Sequence, residues 1–224
     1  MVKFSNDLLD VRTEDYLRDR GSSISFENTN GDLEVREWDN EFVQIETRIY
    51  GDSSRGIPED LNINIEETQS ELSYSVDYPD GININVGSVD FVVQVPENSE
   101  FTISNTTVNG ETLIIADAVV SVETVNGDIQ LDVMSTLGVS TTNGDVIAVL
   151  REQSERVTVE TVNGDLEISV PDRMGISVDT VNGDIYYQGV EADDELEIEG
   201  TSGEVLQVET VNGDVELRHL NGQI

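Results

Sequence analysis

The chain has no cysteine, so no disulfide framework and no thiolate metal site is available to it. It has one lysine, Lys3, and ten arginines against 47 acidic residues, a net charge of −36. No basic patch exists to meet phosphates, which excludes nucleic acid as a partner. Histidine occurs once, at His219, so no metal-ligating histidine pair can form. No apolar run approaches the roughly 20 residues of a membrane-spanning helix. The start, Met1-Val-Lys-Phe-Ser-Asn-Asp-Leu-Leu-Asp10, has no signal-type apolar segment. The expectation is a cytoplasmic protein, with association at a membrane surface as a variant of it.

Such a charge does not mean disorder, because Val, Ile and Leu alternate with polar residues along most of the chain. It fits a salt-rich cytoplasm. At molar salt the Debye length falls to about 3 Å, and a carboxylate-covered surface stays hydrated without repelling itself.

Against these absences stands a repeat. Val-Glu-Thr-Val-Asn-Gly-Asp occurs at 122–128, 159–165 and 208–214, with close variants at 139–145 and 178–184. Degenerate copies lie at 107–111 and 201–204, and Thr29-Asn-Gly-Asp32 is an early outlier. Gly110, Gly127 and Gly144 are 17 residues apart, Gly164 follows after 20, Gly183 after 19, Gly203 after 20 and Gly213 after 10. A period of this length suits one coil of a solenoid. Val157, Val159 and Thr161 share one parity and Leu166, Ile168 and Val170 the other, so each coil holds two half-buried strands joined at a corner. Asn-Gly supplies positive φ for that corner, and equally for a hairpin. Identical corners at one-coil spacing favour stacking in parallel register.

The fold expectation is therefore all-β: a parallel β-solenoid (β-helix) over 101–224, preceded by an antiparallel β region over 21–100. Residues 1–20 form an arm or cap, with 5–20 the only helix-like stretch. Further hairpins are expected near 185–207.

The early hairpins, then Val92-Val-Gln-Val-Pro96, Phe101-Thr-Ile-Ser104 and the Asn-Gly-Asp coils, resemble the putative-adhesin family of β-strand-repeat proteins, a domain of unknown function. That resemblance covers roughly 21–220 and implies the fold and an adhesin-like or ligand-binding surface module. The acidic composition and coil length also resemble bactofilins and halofilins, which implies a cytoskeletal, polymerising protein.

Several residue sets are candidate sites. Asp128, Asp145, Asp165, Asp184 and Asp214 form a column about 4.8 Å per step in such a stack, as do Glu123, Glu160, Asp179 and Glu209; a hard cation can bridge such carboxylates. Solvated acidic faces are the competing reading. The asparagines at 126, 143, 163, 182 and 212 point inward by parity and form an amide ladder, with the preceding threonines as companions. Val125, Val162, Val181 and Val211 point outward as an apolar stripe interrupted by Thr142, or rotate inward at the corner. After the last repeat only ten residues follow, with no capping helix. An open terminal coil is thus expected, with Val211, Val215, Leu217 and Leu220 available for self-association into a dimer or filament. No catalytic pair stands out among so many carboxylates. Trp38, Tyr186 and Tyr187 are sugar-stacking candidates or ordinary sheet packing. The expected function is non-catalytic and structural, without cofactor, with the surface module as the alternative.

Overall fold

A computed structural model describes residues 7–78, 86–152, 157–192, 195–201 and 203–220. Nineteen strands are described and no helix. Hydrogen bonding links them into one 19-stranded sheet, whose strands pair in two series, one on each side of the corners, as an open stack of coils.

The N-terminal part contains β1 (Asp7–Tyr16), β2 (Ser23–Asn30), β3 (Leu33–Trp38), β4 (Val43–Gly51), β5 (Asn62–Glu67), β6 (Glu71–Asp77) and β7 (Val86–Pro96). The segment expected to be helical is β1, paired antiparallel with β4 from Asp7↔Gly51 to Tyr16↔Val43. Its leucines and valine do not serve a helix face: Leu8 and Val11 stay half exposed, while Tyr16 bonds the Tyr74 hydroxyl at 2.7 Å. Strand pairing supplies the order that the apolar pattern does not.

Residues 21–100 are mixed rather than antiparallel. β4 pairs antiparallel with β7, and β5 with β6. β2, however, lies parallel between β6 and β8 (Phe101–Asn109), and β3 lies parallel between β7 and β9 (Thr112–Asn126). The early Asn30-Gly31-Asp32 copy is therefore a full coil corner.

The repeat then builds the stack: β10 (Ile129–Asn143), β11 (Val146–Leu150), β12 (Val157–Asn163), β13 (Leu166–Pro171), β14 (Gly175–Asn182) and β15 (Ile185–Tyr187). Each strand alternates buried and outward residues, as period-two patterning dictates. Leu131, Val133, Val146, Ala148, Val159 and Ile168 belong to one core cluster, at 2% exposure or less.

Sequence order and spatial order part at the C-terminal end. β16 (Val190–Ala192) and β17 (Glu195–Ile198) pair antiparallel with β15 and β14 and cover that end. β18 (Val205–Asn212) then inserts between β12 and β14, and β19 (Val215–Leu220) between β13 and β15. The last coil in sequence is interior in space. The expectation of an open final coil is corrected accordingly: Val215 and Leu217 are core residues with 0% exposure. Of the hairpins expected near 185–207, β15 and β16 form one, while β17 reaches back to β14, outside that range. Gly203 is no corner; its φ is +81° and nothing lies within 4 Å of a Cβ built there.

Candidate functional site

The feature that recurs in every coil is the corner, and its copies form one ridge. In space the order is Asn30, Asn109, Asn126, Asn143, Asn163, Asn212, Asn182. Their amides form a one-way ladder: Asn109 Nδ2 donates to Asn30 Oδ1 at 2.8 Å, Asn126 to Asn109 at 2.9 Å, and Asn143 to Asn126 at 2.8 Å. Asn163 donates to Asn143 and Asn212 to Asn163, each at 2.8 Å, and Asn182 to Asn212 at 3.1 Å. The ladder exists, but it runs outside the core, where Asn126 through Asn212 are exposed. The corner turns these side chains out of the alternation that the flanking strands obey.

The inward companions are the threonines. Thr141 and Thr161 hydroxyls reach glycine carbonyls of the neighbouring coil at 3.4 Å, while Thr107, Thr124, Thr180 and Thr210 are buried without a hydrogen-bond partner. They form no ladder of their own. Their methyl groups belong with the core.

The glycine of each corner answers a demand for space. A Cβ on Gly127 would lie 2.0 Å from the Gly110 carbonyl oxygen, and one on Gly144 would lie 2.1 Å from that of Gly127. Positive φ is confined to part of the column, as at Gly31 with φ +142°. Close approach of stacked backbones, rather than a hairpin turn, makes glycine obligatory.

The acidic column has a bonding role. Corner amides alternate in direction. The glycine N–H donates to the asparagine carbonyl of the next coil, as from Gly144 to Asn163 at 3.0 Å. The N–H of the acidic residue points back and meets a carboxylate instead: Asp145 to Asp128 Oδ1 at 3.0 Å, and Asp165 to Asp145, Asp214 to Asp165 and Asp184 to Asp214, each at 2.9 Å. At the other end Asp32 donates to Asp90 Oδ1 at 3.1 Å. Burial pushes the Asp90 carboxyl above its ordinary range. The field of Asp184, with Glu191 and Asp214 adding to partial desolvation, likewise raises the Tyr186 hydroxyl.

Among the described residues no three His, Asp or Glu converge as a metal cage. The two readings of the acid columns separate in a salt titration. With solvated columns, the melting temperature rises as KCl goes from about 0.1 M to about 1 M, where screening shortens to about 3 Å. It does not move when ~5 mM CaCl2 replaces KCl at fixed ionic strength. A calcium-specific rise there assigns the columns to cation binding.

The valines of the stripe face solvent. Val108, Val125 and Val162 are 40% exposed, Val211 39% and Val181 70%, and Thr142 is exposed in its place in the row. Stacking order makes the row Val108, Val125, Thr142, Val162, Val211, Val181. Beside it lies a shallow groove of about 330 Å³, lined by Glu160, Val162, Asp179, Val181, Glu209 and Val211 among others. The structure thus brings Val125, Val162, Val181 and Val211 onto one surface and separates them from Val215 and Leu217. Leu220 is half-buried at the end of β19.

His219, Tyr187 and Trp38 serve packing, while the Tyr186 hydroxyl faces Asp184 at the surface. His219 Nδ1 bonds the Tyr187 hydroxyl at 2.6 Å and its Nε2 bonds the Met174 carbonyl at 3.1 Å, tying the terminal hairpin to β19. Trp38 donates to the Phe42 carbonyl at 2.8 Å and meets its ring edge-on. No helix among the described residues is long and apolar enough to cross a membrane.

A family model described as Toastrack DUF4097 matches residues 22–218. The chain belongs to the Toastrack DUF4097 family. That membership bears out the sequence resemblance to the putative-adhesin repeat proteins and gives no support to the bactofilin and halofilin one. Solved structures similar to this Toastrack chain include a putative cell adhesion protein from Clostridium sporogenes, 12% identical over 94% of this chain and 100% of that one, with TM-score 0.43. A putative adhesin from Bacteroides fragilis is 12% identical over 93% and 97%, with TM-score 0.36. One from Parabacteroides merdae is 12% identical over 94% and 96%, with TM-score 0.30. No curated protein matches the Toastrack chain.

Proposed function

We propose that this chain is a non-catalytic recognition module, adhesin-like in presenting one face to a partner, with the corner ridge as that face. The observation that carries the reading is the exposed valine row, held in fixed register by the asparagine and aspartate ladders and flanked by carboxylates. Exposed apolar rows on a rigid frame mark contact surfaces. Stacking of molecules end to end through this coil is disfavoured, because antiparallel strands cover that end. Lateral contact between two ridges is the form of self-association that remains, and it sets carboxylate columns face to face.

The test immobilises the wild-type protein and the variant V125S/V162S/V211S. Both are exposed to polylysine, chitin oligosaccharides and heparin at about physiological ionic strength. Retention of one probe by the wild type, at least ten-fold reduced in the variant and without probe turnover, supports the reading. Equal behaviour of the two proteins across all probes overturns it. Sedimentation in about 1 M KCl, where charge repulsion is screened, reads lateral self-association directly.

A further inference from the structure

Resting on that reading, we infer that the ridge takes a basic amphipathic helix of about 16 residues, laid along the stack axis over the valine row. Three observations lead there. The row is continuous at one side chain per coil, except for Thr142. Its pitch is the strand spacing, about 4.8 Å. The apolar seam of a helix repeats every ~3.5 residues, or about 5.2 Å at 1.5 Å rise per residue. The drift is about 0.4 Å per coil and stays under half a coil across the row. An extended strand brings same-face side chains every ~6.6 Å and falls out of step after two coils.

Charge selects the partner's flanks. On one side of the row run Glu123, Glu160, Glu209 and Asp179; on the other, beyond the asparagines, run Asp128, Asp145, Asp165, Asp214 and Asp184. A helix about 10 Å wide covers the strip between them and meets carboxylates along both edges. Lysine or arginine beside an apolar seam complements this arrangement, by the mode in which amphipathic helices fill apolar grooves. A second copy of this chain does not, since the described arginines on or just after the coil strands already face carboxylates of their own coils, as Arg151 does Asp117 and Asp132, and Arg218 does Glu167 and Glu216. The row from Val108 to Val181 spans five steps, about 24 Å, which a helix of about 16 residues covers.

The probe is a labelled 17-residue peptide with leucine along one seam and lysine on both flanks, followed by fluorescence anisotropy and circular dichroism. The expected result is binding with gain of helicity. The dissociation constant rises at least ten-fold for V162N/V211N/V181N and for E160Q/E209Q/D179N. All six positions face solvent, so both variants are expected to melt within a few degrees of the wild type, which is checked first. Equal binding of a scrambled peptide of the same composition, or of one interrupted by proline, overturns the helix assignment, as does absence of binding. If a polysaccharide is retained in a ridge-dependent way while the peptide is not, the helix proposal fails and the recognition module stands. If ridge variants alter no probe, both fail.

Discussion

Leu217→Asp is expected to abolish the cooperative thermal transition at neutral pH. The side chain has 0% exposure and sits on β19 with β13 on one side and β15 on the other. Among the described residues no lysine or arginine is buried in the core that would have to accommodate a carboxylate there. Leaving a charge buried and unpaired costs several kcal/mol, against a total stability of about 5–15 kcal/mol. Glu216→Gln on the same strand points outward and is expected to shift stability by no more than about 0.5 kcal/mol. Urea denaturation followed by circular dichroism separates the two. A Leu217→Asp variant that melts like the wild type places β19 at an exposed end and restores the terminal coil as a contact surface.

The second large effect is at the corner. Gly144→Ala puts a methyl group 2.1 Å from the Gly127 carbonyl oxygen, with the Asp128 amide nitrogen at 3.2 Å. Both obstacles are backbone, fixed by the ladders on either side, so the clash is relieved only by parting two coils. Parting them breaks the bonds from Asn143 to Asn126 and from Asp145 to Asp128. The expected loss is about 3 kcal/mol or more, combining overpacking with those lost hydrogen bonds. Gly138→Ala is the control, since the nearest atom to its Cβ is the Thr158 carbonyl oxygen at 3.9 Å. That variant is expected to be neutral or slightly stabilised by the lowered entropy of its unfolded chain. Equal melting temperatures for the two alanine variants would show that the coils are not stacked as closely as the corner geometry requires.

These two positions also mark what the sequence discloses. The repeat made the coil legible: identical corners, period-two flanks and near-constant spacing all depend on local chemistry. The exposed valines agree with parity, one of the two orientations that the sequence left open. The asparagines do not, because parity counted across a corner carries no information about the side of the sheet reached. The inserted coil was hidden for a different reason. Identical corners dock equally well on any neighbour, so the motif fixes membership of the column and leaves position within it open. The signal is the spacing of 30 residues from Gly183 to Gly213, too long for one coil, which Gly203 masks by standing between them as a false corner. β1 was obscure because its outward leucine and valine carry no period that distinguishes a strand at a sheet edge from a helix.

The insertion of the last coil bears on how the chain is assembled and how it can lengthen. In an ordinary repeat array each unit docks on its predecessor, and units are gained or lost at the ends. Here β18 and β19 enter a slot whose far wall, β14 and β15, precedes them in sequence, and the Asn212-to-Asn163 bond joins residues 49 apart. The first coil is wedged in the same way at the opposite end, between β6 and β7 on one side and β8 and β9 on the other. A ribosome delivering this chain in sequence order cannot complete the stack step by step, because the slot closes only when β18 and β19 arrive. Removing the last coil would leave a gap inside the molecule rather than a shorter molecule. Duplication of a coil is accommodated only from Gly110 to Gly164, the stretch in which order along the chain and order along the axis coincide.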